Sequence, residues 1–203
     1  MNGNDMSKSL MIGLVVLVAG SCGAQQPDFG AMMQAMAGAA QSQEATAAPS
    51  MVSVKALKNA LPKELPGLER VEAGAEKQSV LGISAVIATG VYEAGEKTIQ
   101  VEISDMGGMG GLGTMAMMGI ANAEVDKETR TGFERTTTYQ GFKALESYDK
   151  TNQSGEIEVY IGKRFNVSIN GSSLSSFDEL AAVVKALDLK ALSELNPEPV
   201  SAP

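Results

Sequence analysis

Three segments of strict period-two alternation constrain the fold of this chain more than any other feature. Ile99, Val101 and Ile103 alternate with Gln100, Glu102 and Ser104. Ile157, Val159 and Ile161 alternate with Glu156, Glu158 and Tyr160, and Phe165, Val167 and Ile169 with Asn166, Ser168 and Asn170. Successive side chains on a strand point to opposite faces, so each segment reads as a strand with one buried and one wet face. On a helix the same residues would scatter around the axis.

Facing parity then sets two hairpins. Val91 is expected opposite Ile99 and Ile87 opposite Ile103, which requires a three-residue loop, Ala94-Gly95-Glu96. Ile161 is expected opposite Phe165 and Ile157 opposite Ile169, around Gly162-Lys163-Arg164. Gly132 to Tyr139 and Gly141 to Asp149 read as two further strands, Asn152 to Gly155 as a turn, and Leu68 to Glu72 as an edge strand.

Helices bracket this region. Ser53 can cap a short helix reaching Leu61, with Leu57, Ala60 and Leu61 in one stripe, and Pro62, Pro66 and Gly67 end it. Ser176 and Glu179 have capping-box spacing. Leu180, Val183, Val184 and Leu187 then form one apolar face, which Leu189 and Leu192 extend through a further turn. The expected fold is α+β: a single antiparallel β-sheet of about 5–7 strands, with flanking N- and C-terminal helices packed on one face. The domain is expected to run over residues 51–195, followed by a frayed Pro-rich tail over 196–203.

Composition removes several kinds of chemistry. The 203 residues include no His, no Trp and one Cys. A Ser-His-Asp triad, a Cys-His dyad and an imidazole metal site are therefore excluded. So are an internal disulfide, a CxxC redox pair and a thiolate zinc site. Lys and Arg number 16 against 24 Asp and Glu, a net charge of -8, which disfavours nucleic acid as a partner.

The one Cys has a particular place. Leu10 to Gly20 is an apolar run without charge, preceded by Lys8 and followed by small residues. It falls short of the roughly 20 residues a transmembrane helix needs, and its layout is that of a secretory signal peptide. If Met6 is the true start, the segment before the apolar run is tighter. Val18-Ala19-Gly20-Ser21-Cys22 resembles the lipobox of bacterial lipoproteins, with Ala19 where that pattern usually has Leu. The resemblance implies cleavage over residues 1–21 and transfer of diacylglycerol to the Cys22 thiol. Gly23 after the Cys, where the enterobacterial rule for inner-membrane retention has Asp, implies the outer membrane, facing the periplasm. Two or three acyl chains anchor a protein stably where one does so marginally. Residues 22–50 then read as the lipidated Cys and an Ala/Gln-rich tether without Val, Ile or Leu. As a flexible coil it would reach about 30 Å. Asp28 could also cap a short helix carrying Met32, Met33 and Met36.

The most unusual internal segment is Asp105 to Glu124, with five Met and six Gly between two expected strands. One reading is a Gly-rich crossover leading to a short helix from Thr114 that packs Met115, Met118 and Ile120 into the core. A second is soft-metal binding, in which Met106, Met109, Met115, Met117 and Met118 offer thioethers to Cu(I). A third makes the same five residues an adaptable contact surface for a lipid, a peptide or another subunit. No GxxxxGK[ST] run is present and no Lys follows the glycines, so a phosphate loop is not indicated. Glu156 and Glu158, and Glu124, Asp126 and Glu128 beside Lys127 and Arg130, read as solvated charged faces.

Beyond the lipobox, the order Leu61-Pro62, Leu65-Pro66-Gly67-Leu68, Glu102 to Gly108 and Leu187-Asp188-Leu189 is similar to uncharacterised exported bacterial lipoproteins. That group implies a single domain and no reaction. The expectation is a non-enzymatic, lipid-anchored envelope protein without a cofactor, binding a protein or lipid partner. Cu(I) handling through residues 105–124 and a hydrolase without a GxSxG elbow are the alternatives.

Overall fold

The structure, a computed structural model, describes residues 51–80, 83–107, 119 and 123–195. Cys22, the tether and the tail lie outside the described residues, as do Met109, Met115, Met117 and Met118.

The chain opens with α1 (Val54–Ala60), capped by Ser53, whose hydroxyl accepts from the Ala56 N–H at 3.2 Å. Nine strands follow: β1 (Glu64–Leu65), β2 (Leu68–Val80), β3 (Ile83–Ala94), β4 (Lys97–Asp105), β5 (Asp126–Thr129), β6 (Gly132–Tyr139), β7 (Phe142–Asp149), β8 (Ser154–Ile161) and β9 (Phe165–Ser172). Helices α2 (Asp178–Ala186) and α3 (Leu189–Ser193) close it. The strands form one antiparallel sheet in the order β1-β2-β3-β4-β9-β8-β7-β6-β5. Two meanders therefore meet at β4 and β9, and the chain crosses from β4 to the far edge at β5.

The expected α+β class and helices on one face hold, with nine strands rather than about 5–7. One added strand is β5, exposed at every position and so without a hydrophobic period. The other is β1, only two residues long. The edge strand expected over Leu68 to Glu72 continues to Val80.

The covered face is built from residues in register across the sheet. Tyr92, Ile99 and Gly171 form one row, Val101, Ile169 and Ile157 a second, and Ile103, Val167, Val159 and Ala144 a third. All of them are buried. The β8–β9 hairpin has the expected pairs, Ile161 with Phe165 and Ile157 with Ile169. The β3–β4 hairpin does not. Its connection is two residues, Gly95 and Glu96, and Ile99 pairs with Tyr92 and Ile103 with Ala88. Val91 and Ile87 consequently fall on the other face. Tyr92 decides this register: its ring lies over Gly90, where a Cβ would approach the hydroxyl to 2.9 Å, and its O–H donates to the Pro62 carbonyl at 2.7 Å.

Helix α2 lies over β8 and β9 because Gly155 and Gly171 leave room for Leu180. Its start differs from the expected capping box. Phe177 is the N-cap with no side-chain bond, while Glu179 bonds Lys97 at 2.8 Å. Nor does the helix run on to Leu192. Leu187 is extended, and Asp188 caps the separate α3 through the Ala191 N–H at 2.9 Å.

Candidate functional site

Three polar constellations stand out among the described residues. The first closes the core where the chain enters the domain. Asp105, the last residue of β4, is in phase with Ile99, Val101 and Ile103, so its carboxylate points to the covered face and is fully buried. It accepts from Val52 N–H at 2.7 Å, Gly107 N–H at 2.9 Å, and Arg164 through Nε at 2.8 Å and Nη2 at 2.7 Å. One side chain thus joins the lead into α1, the start of the crossover and the β8–β9 hairpin. Met106, the described member of the methionine set, is half-buried there, and its N–H donates to the Arg164 carbonyl at 2.9 Å.

The second is on the covered face, near the β5 edge. Glu146 is 2% exposed. Its Oε2 accepts from Arg135 Nε at 2.7 Å and its Oε1 from the Tyr139 hydroxyl at 2.5 Å. The Arg135 guanidinium stacks 4.6 Å from the centre of the Phe133 ring. Burial first, and the bond to Glu146 second, push the Tyr139 hydroxyl well above the usual tyrosine range. Tyr139 therefore stays protonated and donates its hydroxyl proton to Glu146.

The third is the opposite face of the sheet, the open face, on which Gln100 and Asn170 are exposed, Tyr160 is buried and the remaining row residues are half-buried. Its rows run across β4, β9, β8 and β7: Ser104, Asn166, Tyr160 and Lys143; Glu102, Ser168, Glu158 and Leu145; Gln100, Asn170, Glu156 and Ser147. Asn170 donates to Ser168 Oγ at 2.9 Å and Ser168 to Glu156 at 3.3 Å. Tyr160 donates to Glu158, and Lys143 to the Ala123 carbonyl. Burial, then the charge of Glu158, raises the Glu156 carboxyl above its ordinary value. Asn166 Oδ1 is buried without a hydrogen-bond partner among the described residues.

The expected solvated acidic faces divide accordingly. Asp126 and Glu128 are on the exposed β5, whereas Glu156 and Glu158 are half-buried within the open face. Among the described residues, no three acidic side chains are grouped as a metal ion would require. The signal for Asp105 and Glu146 was available in the sequence. Each continues an alternation on the side of the buried residues, so parity alone places a carboxylate in the core.

Two spacings lose their usual context. Gly108 to Gly113 spells G-x-G-x-x-G after β4, but those residues lie outside the described ones, and β4 is antiparallel to both neighbours. The dinucleotide fingerprint belongs to a parallel βαβ unit. Ser147 and Lys150 have S-x-x-K spacing, but they lie on β7 and the turn after it rather than on one helical turn. No family model, curated protein or solved structure matches the chain.

Proposed function

We propose that this chain is a non-enzymatic, lipid-anchored envelope protein. Cys22 holds it at the outer membrane on the periplasmic side, and its domain binds a protein partner through the open polar face. The observation that carries the binding reading is how the polar groups are distributed. Asp105 and Glu146 are consumed by bonds that hold the fold together. The open face, by contrast, offers Gln100, Glu102, Glu156, Glu158 and Asn170 in adjacent rows on three central strands, β4, β9 and β8. A surface of this kind suits a hydrogen-bonding or basic protein better than an anionic lipid surface, from which a chain of net charge -8 is repelled.

The anchoring reading rests on Cys22 following Ala19-Gly20-Ser21 and on the apolar run before it. It is tested by labelling expressing cells with palmitate and fractionating them. The intact chain is expected to carry label and sediment with membranes, and Cys22→Ser to lose both. Label retained in Cys22→Ser, or an unlabelled soluble wild-type chain, would contradict it. The binding reading is tested by placing photo-crosslinkers at Gln100 and Asn170, with exposed Lys58 on α1 as control. Adducts confined to the open-face positions are expected. Equal yield at Lys58 contradicts the assignment.

A further inference from the structure

We infer that the outer edge of β2 is a pairing surface for a second copy of this chain, joined antiparallel about a two-fold axis at Ala75. β1 covers β2 only at Leu68 and Glu69. A bulge at Val71, the one large exposed apolar side chain among the described residues, interrupts the strand next. From Glu72 to Val80 no strand lies beyond β2 among the described residues. An edge of this length is a template for another strand.

The hairpins fix which backbone groups point outward. Val80 and Ile83 pair across a two-residue connection, and such a hairpin closes on a hydrogen-bonded pair. Bonded and non-bonded pairs then alternate. Even-numbered residues of β2 bond β3, and Ala73, Ala75, Lys77 and Ser79 turn their N–H and C=O groups outward. The β3–β4 hairpin gives the same phase independently: it closes on Ala94 and Lys97 and assigns the even residues of β3 to β4.

Charge then selects the register and the occupant. In a two-fold pairing that keeps the covered faces on one side, a residue meets one of its own parity. Centred on Gly74, Glu72 would oppose Glu76; centred on Glu76, that residue would oppose itself; centred on Lys77, two lysines would meet. Like charges directly opposite are destabilising. A centre at Ala73 would run Ala75 into the bulge at Val71. Centred on Ala75, Glu72 meets Gln78, Lys77 meets Ala73 and Glu76 meets Gly74, with no like charges opposed. The acidic and basic residues of this edge thus reject the centres at Gly74, Glu76 and Lys77; a centre at Gln78 would pair only residues 76–80, which leaves Ala75 as the longest self-pairing without like charges opposed. The pairing depends on the edge alone and is independent of the anchor and of the open face.

The test uses the full chain carrying Cys22→Ser, which contains no other thiol. A hydrogen-bonded antiparallel pair holds its Cα atoms about 5.5 Å apart, within disulfide reach. Ala75→Cys is therefore expected to give a covalent dimer on mild oxidation. Ala73→Cys places the two thiols about 13 Å apart and is expected to give none. Ala73→Cys with Lys77→Cys restores cross-linking. Ala75→Pro removes an outward N–H without touching the β3 ladder, so sedimentation should show dimer lost while the Tm stays near that of the parent. A chain that is monomeric at every concentration and gives no disulfide at position 75 overturns the inference. So does Ala73→Cys cross-linking as readily as Ala75→Cys, or a dimer that survives Ala75→Pro. Pairing of the edge with some other polypeptide, with no self-association, also overturns it.

Discussion

Asp105 and Glu146 are both carboxylates on the covered face, yet they differ in what their loss would cost. Asp105 is fully buried, its partner Arg164 is 22% exposed, and two backbone N–H groups depend on it as well. Removing one charge of a buried pair costs about 3–5 kcal/mol, because the other charge is left uncompensated. Asp105→Asn is therefore expected to lower stability by about 3–5 kcal/mol in denaturant unfolding. Glu146 faces Arg135, which is 51% exposed and can return to water. Glu146→Gln keeps an acceptor for Tyr139 and is expected to cost about 1–2 kcal/mol. Equal losses for the two would contradict the assigned difference in burial.

Glu156 makes a prediction of opposite sense. Its carboxyl is raised by burial and by Glu158, so the folded chain holds that proton more tightly than the unfolded one. The associated stability is fully present below the unfolded glutamate pKa and is lost as pH rises through the raised folded value. Glu156→Gln should therefore gain stability relative to wild type as pH rises through that window. Denaturation midpoints measured on both proteins across the acid range read this directly, and a difference that is flat with pH would refute it.

At the scale of elements, glycine positions decide how closely the layers approach. A Cβ on Gly132 would sit 2.0 Å from the Tyr148 carbonyl oxygen, a backbone atom that cannot move without opening the β6–β7 ladder. A Cβ on Gly171 would meet the ends of Leu180 and Leu174 at 2.8 and 2.9 Å, which are flexible side-chain atoms. Gly171→Ala is expected to cost about 1–3 kcal/mol through overpacking. Gly132→Ala should cost more and broaden the unfolding transition. Calorimetry that ranks them the other way would show the helix layer to be stiffer than the sheet.

Legibility in the sequence follows the same physics. Strands β4, β8 and β9 were readable because large aliphatic residues alternate with polar ones along them. β2 was mostly hidden, since Ala73, Gly74 and Ala75 give no contrast between faces, and β5 because all its residues are exposed. The β3 register was misassigned because Ile87 and Val91 look like core residues. The core instead takes Ala88, Gly90 and Tyr92, whose small-small-large order fits under the segment around Pro62. The capping-box spacing at Ser176 was off by position: the N-cap is Phe177, and Glu179 reaches back to the Ser175 N–H at 3.4 Å with one oxygen while the other bonds Lys97. Of the site, parity alone reveals the buried carboxylates, but the partners gathered around Asp105 come from positions 52, 107 and 164 and are set only by the fold.

At the scale of the whole molecule, the sheet separates two kinds of surface. One face is covered by α1, α2 and α3 and holds the two buried carboxylates, Asp105 and Glu146, and the other presents polar rows across its central strands. The lead into α1 is tied to the sheet at Val52, whose N–H is held by Asp105. Asp5 and Lys8 cancel within residues 1–21, so residues 22–203 keep -8. The most direct test of a lipid-anchored binding domain is the intact mass of the protein isolated from membranes. A chain beginning at Cys22 and carrying diacylglycerol, with or without a further acyl group, is the result predicted. An unmodified chain with another N-terminus would contradict it.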